Sequence, residues 1–123
     1  RSTHRWMNED PAEAGAMFKA MYAALKPGGI LGVVEHRAKI DKPQDPTAES
    51  GYVRKDYAIA LIEGAGFELV AESEVNANPK DTADHPNGVW SLPPTLDGGA
   101  VDRDKYLAIG ESDRFTLKFR KPE

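Results

Sequence analysis

The sequence predicts an α/β domain: a small sheet of about three strands, the last one antiparallel, with two main helices on one face. Three observations carry this. Leu25 to Arg37, LKPGGILGVVEHR, reads as a helix end, a tight turn and a buried strand. Apolar residues recur at helical spacing before this stretch and again near residue 60, which makes two amphipathic helices. Phe67 to Val75 and Arg114 to Lys121 alternate in hydrophobicity, which makes two half-buried strands. Nothing divides the 123 residues, so 1–123 is read as a single domain.

Arg1 to Asn8 has no periodicity, and its mixture of polar and aromatic residues looks like an internal segment. A helix is expected over 10–26. Asp10 is placed as its N-cap, Pro11 suits the first helical position, and Glu13 completes a capping box. Ala14, Met17, Phe18, Met21, Tyr22 and Leu25 form one apolar stripe. Pro27 fixes its own φ and biases Lys26 away from helical geometry, while Gly28 and Gly29 can take positive φ and reverse the chain. Ile30 to Val34 shows no polar alternation, so a strand over 30–36 is expected to be buried on both faces, as in a parallel sheet. Ala38 to Ser50, with Pro43 and Pro46, is a loop.

A second helix is expected over about 52–64, burying Tyr57, Ala58, Leu61, Ile62 and Ala65 and stopped by Gly66. In the strand that follows, Phe67, Leu69 and Ala71 take one side. Asn76 to Ala100 is too long for a routine connection, and Val89, Trp90, Leu92 and the Pro93-Pro94 pair are expected to pin it to the body. A short helix over 102–109 capped by Asp102 precedes the last strand, whose Phe115, Leu117 and Phe119 face inward. A strand after so long an excursion suits an antiparallel return at the end of the sheet.

Composition excludes several functions. Net charge is −4 with no basic cluster, which argues against nucleic acid as the main partner. Without cysteine there is no disulfide frame, thiolate zinc site or cysteine nucleophile. No apolar run is long enough to span a membrane and no signal-peptide pattern opens the chain, so a cytoplasmic protein is expected. There is no phosphate loop and no nucleophile elbow.

In parallel α/β sheets the ligand crevice lies beyond the carboxyl ends of the strands, where Glu35, His36 and Arg37 fall. Glu35 and His36 are the candidate catalytic residues, because an imidazole titrates near neutrality and can deprotonate a nucleophile. Solvated polar residues at a strand end are the competing reading. Asp84, His85, His36, His4 and Glu35 carry possible metal ligands, but no pair has metal-binding spacing, so no metal site is expected. Asp113 and Arg114 are a candidate ion pair at the start of the last strand, read as structural or exposed and not functional.

The order helix, KPGG turn, strand, helix, AGF strand, long loop and final strand resembles the C-terminal half of a Rossmann-like S-adenosylmethionine-dependent methyltransferase. The residues that carry the likeness are Ala24-Leu-Lys-Pro-Gly-Gly-Ile-Leu31, Glu63-Gly-Ala-Gly-Phe67 and Asp113-Arg-Phe-Thr-Leu-Lys-Phe119. Val34-Glu-His-Arg37, Asn78-Pro-Lys-Asp81, Trp90-Ser-Leu-Pro-Pro94 and Ile109-Gly-Glu-Ser-Asp-Arg114 are similar to a bacterial subgroup of predicted methyltransferases. The resemblance covers essentially the whole chain. It implies strands five, seven and six of that fold, and S-adenosylmethionine as the cofactor of a complete member. Arg1-Ser-Thr-His-Arg-Trp6 resembles the segment after the family's fourth strand, which places His4 and Trp6, with Arg37, on the substrate side of the crevice.

The family's glycine-rich loop and the acidic residue ending its second strand have no counterpart here, and the glycine pairs at 28–29 and 98–99 lie in the wrong context. The chain therefore reads as a half-fold lacking the first four strands. No cofactor is expected on this chain alone, and no catalysis. The missing half would pair with the edge of strand 30–36 and cover the other sheet face. A homo-oligomer, most simply a dimer, is expected through that edge or face, with a small molecule as substrate. Two readings stand: the C-terminal half of a small-molecule methyltransferase, or a non-catalytic oligomeric interaction or ligand-binding module derived from that fold.

Overall fold

The Leu25-Lys-Pro-Gly-Gly turn is the joint on which the chain folds. The computed structural model describes residues 4, 7, 11–39, 44, 48–93 and 95–122. Helix α1 (Pro11–Ala24) stops before the turn, two residues earlier than expected. Gly28 takes φ 81°, a left-handed value natural only to glycine. Its N–H donates to the Lys121 carbonyl at 2.8 Å, and the Lys121 N–H returns a bond to the Gly29 carbonyl at 2.9 Å. Lys121 Nζ also donates to the carbonyls of Tyr22 and Leu25, at 2.7 and 2.9 Å. A lysine from the far end of the chain thus caps the helix. Asp10, the expected N-cap, lies outside the described residues.

Strand β1 (Ile30–His36), helix α2 (Lys55–Gly64), strand β2 (Glu68–Ser73), a 3-10 turn (Gly88–Ser91), helix α3 (Arg103–Ile109) and strand β3 (Arg114–Arg120) follow. The sheet order is β1-β3-β2, and β3 runs antiparallel to both neighbours. The returning strand therefore lies in the middle of the sheet, as the five, seven, six order of the resemblance implies, and not at its end. Ile30 sits opposite Arg120 and His36 opposite Arg114. This corrects the expectation of a doubly buried strand in parallel pairing. Along β1, Val33 and Glu35 are buried while Ile30 and Gly32 are exposed. The alternation follows from a sheet covered on one face, where every second residue meets the helices.

The core joins Ala14 and Phe18 of α1, Ala58 and Ile62 of α2, Phe67, Val33 of β1, and Phe115, Leu117 and Phe119 of β3. Burying a large apolar side chain of this kind contributes about 1.5–3 kcal/mol. The β2 register skips Val70, a bulge that turns Ala71 outward, so only Phe67 and Leu69 of the expected inward set are covered. The opposite sheet face is largely polar: Lys118 and Arg120 are exposed, and Arg120 meets Glu68 at 3.3 Å.

Leu92 is buried, with Val89 and Trp90 half-buried beside it, so this part of the long connection is pinned as expected; Pro94 lies outside the described residues. Gly88 makes the docking possible. It has φ 59°, and a Cβ there would come within 2.3 Å of the Ser50 carbonyl oxygen. That close approach lets the Val89 N–H donate to Ser50 at 2.8 Å. Asp102 precedes α3 at φ 55°, but its side chain makes no capping bond, contrary to expectation. Among the described residues no helix is long and apolar enough to cross a membrane.

Candidate functional site

The end of β1 is held on both sides. The Arg37 N–H donates to the Asp113 carbonyl at 2.7 Å, and on the other edge His36 and Ala38 exchange bonds with Val53 at 2.8 and 2.9 Å. Glu35 points to the covered face at the point where the core ends, and it is fully buried. Its Oε2 accepts the His4 N–H at 3.1 Å, while Oε1 accepts the His36 N–H at 3.0 Å and lies 2.8 Å from His4 Nδ1. Burial works to raise the Glu35 carboxyl. The hydrogen bond and charge of His4, with the His36 N–H, outweigh it and hold the group below the usual carboxylate range. A negative charge is thereby kept inside the protein.

His36 projects to the other side of the strand. Its Nδ1 lies 2.5 Å from Ser112 Oγ, and its ring is 5.5 Å from that of His4 and 6.2 Å from that of Tyr52. Trp90 meets His4 edge-on at 6.1 Å. His4, Glu35 and His36 each bring a ring nitrogen or carboxylate oxygen within 4.8 Å of the others. Beside His36 lies a cleft of about 150 Å³ with Glu111, Ser112 and Arg114 on its polar side and Val89, Trp90 and Pro93 on its apolar side. Arg114 donates from Nη2 to Glu111 at 2.9 Å, and its buried Nε has no hydrogen-bond partner among the described residues.

A second buried carboxylate stands behind the cleft. Asp81 accepts bonds from the Tyr52 hydroxyl at 2.8 Å and from the N–H groups of Asp113 and Ala83 at 2.9 Å, and lies 2.8 Å from His85 Nε2. Burial pulls its carboxyl upward, but these bonds prevail and hold it low. Burial and the same carboxylate push the Tyr52 hydroxyl well above its ordinary range. Asn78 completes the support, donating through Nδ2 to the carbonyls of Ile109 and Glu111, each at 2.7 Å. His36, Val89, Trp90, Pro93, Glu111, Ser112 and Arg114 thus line one cleft, and the 78–81 segment braces it through Ile109, Glu111 and Asp113.

Of the residues singled out from sequence, His4, Glu35 and His36 come together. Trp6 lies outside the described residues. Arg37 is drawn elsewhere, into a hollow of about 380 Å³ with Lys39, Arg54, Lys55 and Asp56. There it meets Glu74 at 2.6 Å and Asp113 at 3.5 Å. Asp113 and Arg114 do not pair with each other: Arg114 takes Glu111 and Asp113 takes Arg37. His85 is held by Asp81, away from the His4 cluster. Ser112 and Tyr52 were missed as site residues. The signal for Ser112 is the pairing of β1 with β3, which puts the residues before Arg114 beside His36.

No family model matches the chain. No curated protein matches it either. Among solved structures the [4+2]-cyclase SpnF is similar, with a TM-score of 0.54 and 19% identity over 90% of this chain and 45% of that one. The chain thus spans less than half the length of that protein. SpnF has an S-adenosylmethionine-dependent methyltransferase-like fold, and this chain is similar to part of it. At this identity the likeness is one of fold.

Proposed function

We propose that this chain is the C-terminal, substrate-side half of a methyltransferase-like fold, and that its site deprotonates a small molecule held in the cleft. The observation behind this reading is the fully buried Glu35, bonded to His4 and set beside His36, which lines the cleft. Here His36 takes a proton from an acidic O–H, N–H or C–H of the substrate, its ring oriented by Ser112. Glu35 and His4 are positioning residues behind it. Trp90, Val89 and Pro93 pack the apolar body of the ligand, and Arg114 sits where a developing negative charge would fall.

S-adenosylmethionine would be the methyl donor in a complete protein of this kind. The residues present do not fit it. A Rossmann-like site needs glycine N–H groups turned toward the ligand. Here the Gly28 and Gly29 N–H groups are bonded to Lys121 and Lys26, and that of Gly99 to Leu96. Cofactor binding is therefore assigned to a complementary half, and the chain alone is not expected to be catalytic. Calorimetric titration with S-adenosylhomocysteine, on protein of known oligomeric mass, tests this. A folded chain that gives no binding heat is expected; saturable binding would overturn the need for a complement.

A second reading, a self-associating module without catalysis, is favoured by the outer edge of β1. β3 occupies one side of that strand, and among the described residues the other side is bonded only from its last residue onward, where His36 and Ala38 meet Val53. Ile30 is half exposed there. Because Lys118, Arg120 and Glu68 make the open face polar, edge pairing into a dimer is favoured over stacking of faces. Light scattering that finds a monodisperse monomer would reject this reading.

A further inference from the structure

We propose that His4, Glu35 and His36 form a binding site for a divalent cation of the zinc class, with its remaining coordination position facing the cleft. The ligand atoms already lie within 4.8 Å of one another. In a tetrahedral zinc site, with bonds of about 2.0–2.2 Å, ligand atoms sit about 3.3 Å apart. His4 Nδ1 and Glu35 Oε1 are closer than that, at 2.8 Å. The other pairs need to close by at most about 1.5 Å, within the reach of side-chain rotation.

Charge and ligand type agree with the geometry. A buried carboxylate needs a compensating positive group, and a cation between it and two imidazoles supplies one. Two nitrogens and one oxygen suit zinc or a neighbouring transition ion; calcium and magnesium prefer oxygen alone. The contact from Ser112 Oγ to His36 Nδ1 is the kind of outer support that fixes the ring of a metal-bound histidine. Three protein ligands also leave a place for a water or substrate oxygen.

The inference takes from the functional reading above only the small molecule in the cleft, and where the cation is bound it replaces the His36 base step of that reading. There the cation would polarise the substrate oxygen in place of an imidazole taking its proton, since both compete for the same nitrogen lone pairs. Its test needs no substrate. The chain has three histidines and no cysteine, and the third, His85, is held by Asp81, so adventitious strong sites are few.

The experiment is calorimetric titration of the untagged chain, stripped with chelator, with zinc chloride. One zinc per chain is expected, weakened at least about tenfold in Glu35→Gln and in His36→Gln, with circular dichroism confirming each fold. The visible spectrum of the cobalt(II) form of the unmutated chain gives a second readout that requires no variant. An intense four-coordinate band is expected. No saturable zinc binding, binding unchanged in both variants, or a weak six-coordinate cobalt spectrum would overturn the site. S-adenosylhomocysteine is titrated separately. Its binding would sink the half-fold reading and leave the metal site standing, whereas loss of zinc binding alone would leave His36 as the base.

Discussion

Glu35 and Asp81 are both fully buried carboxylates, each 2.8 Å from a histidine nitrogen, and each is held below its ordinary range. Their surroundings differ. Asp81 receives two backbone N–H groups, a tyrosine hydroxyl and an imidazole from four separate positions, and all of them lie within the fold. Among the described residues Glu35 is bonded only by His4 and by the N–H of its own neighbour, and His36 next to it reaches a cleft. A buried charge tied to many segments organises structure. Glu35 is bonded by one imidazole and by the backbone of a second histidine that lines a cleft, which is why the chemistry is proposed there. Burial and pKa alone would not separate the two; the list of donors does.

The largest expected effect breaks the structural member. Asp81→Ala should cost roughly 3–5 kcal/mol, because it leaves a buried imidazole, a hydroxyl and two N–H groups without their acceptor. Urea unfolding measures it. A loss below about 1 kcal/mol would mean that the loops around Asp81 hold without it. Glu35→Gln should cost less, about 1–2 kcal/mol, since an amide oxygen still accepts one bond. Yet it should abolish the chemistry assigned to the His36 site, which Asp81→Asn should leave intact wherever that variant stays folded. Equal effects of the two variants on stability and on zinc affinity would erase the distinction.

Acid titration sharpens the same contrast. The folded Asp81 carboxyl lies below its unfolded value of about 4, so between the two the unfolded chain binds more protons. Its stabilising contribution is therefore complete above about pH 4 and fades as pH falls through the folded value. Asp81→Asn should flatten that acid limb of the stability curve. An unchanged slope would show that Asp81 is not charged in the folded protein.

What was legible in the sequence follows from the range of the forces involved. Helices α1 and α2 and the inward set Phe115, Leu117 and Phe119 showed in local periodicity, and the KPGG turn showed in the backbone limits of proline and glycine. The central place of β3 did not show in local pattern and came only from the resemblance, because strand order depends on pairings between residues 78 to 90 positions apart, from His36 with Arg114 to Ile30 with Arg120. The unbroken apolar run at 30–34 pointed to two covered faces, but coverage depends on what packs against the strand. At the site, Glu35 and His36 were legible as polar residues ending an apolar strand. His4 came from resemblance, not from pattern. Ser112, Tyr52 and the acceptor role of Asp81 stayed hidden, since they arise only when β3 returns beside β1 and Gly88 lets the long connection close on Ser50.

The smallest expected effect falls on the residue that touches both regions. Tyr52 gives its hydroxyl to Asp81, and its ring packs T-shaped against that of His36. Tyr52→Phe removes the hydroxyl and keeps the ring. It should cost about 1 kcal/mol, one hydrogen bond to a charged acceptor partly offset by the two N–H groups and His85 that remain. Zinc affinity should not change, because the face presented to His36 is preserved. If affinity falls with stability, the hydroxyl transmits order from Asp81 to His36, and the two carboxylates belong to one network. If only stability falls, they are separate devices that share a wall.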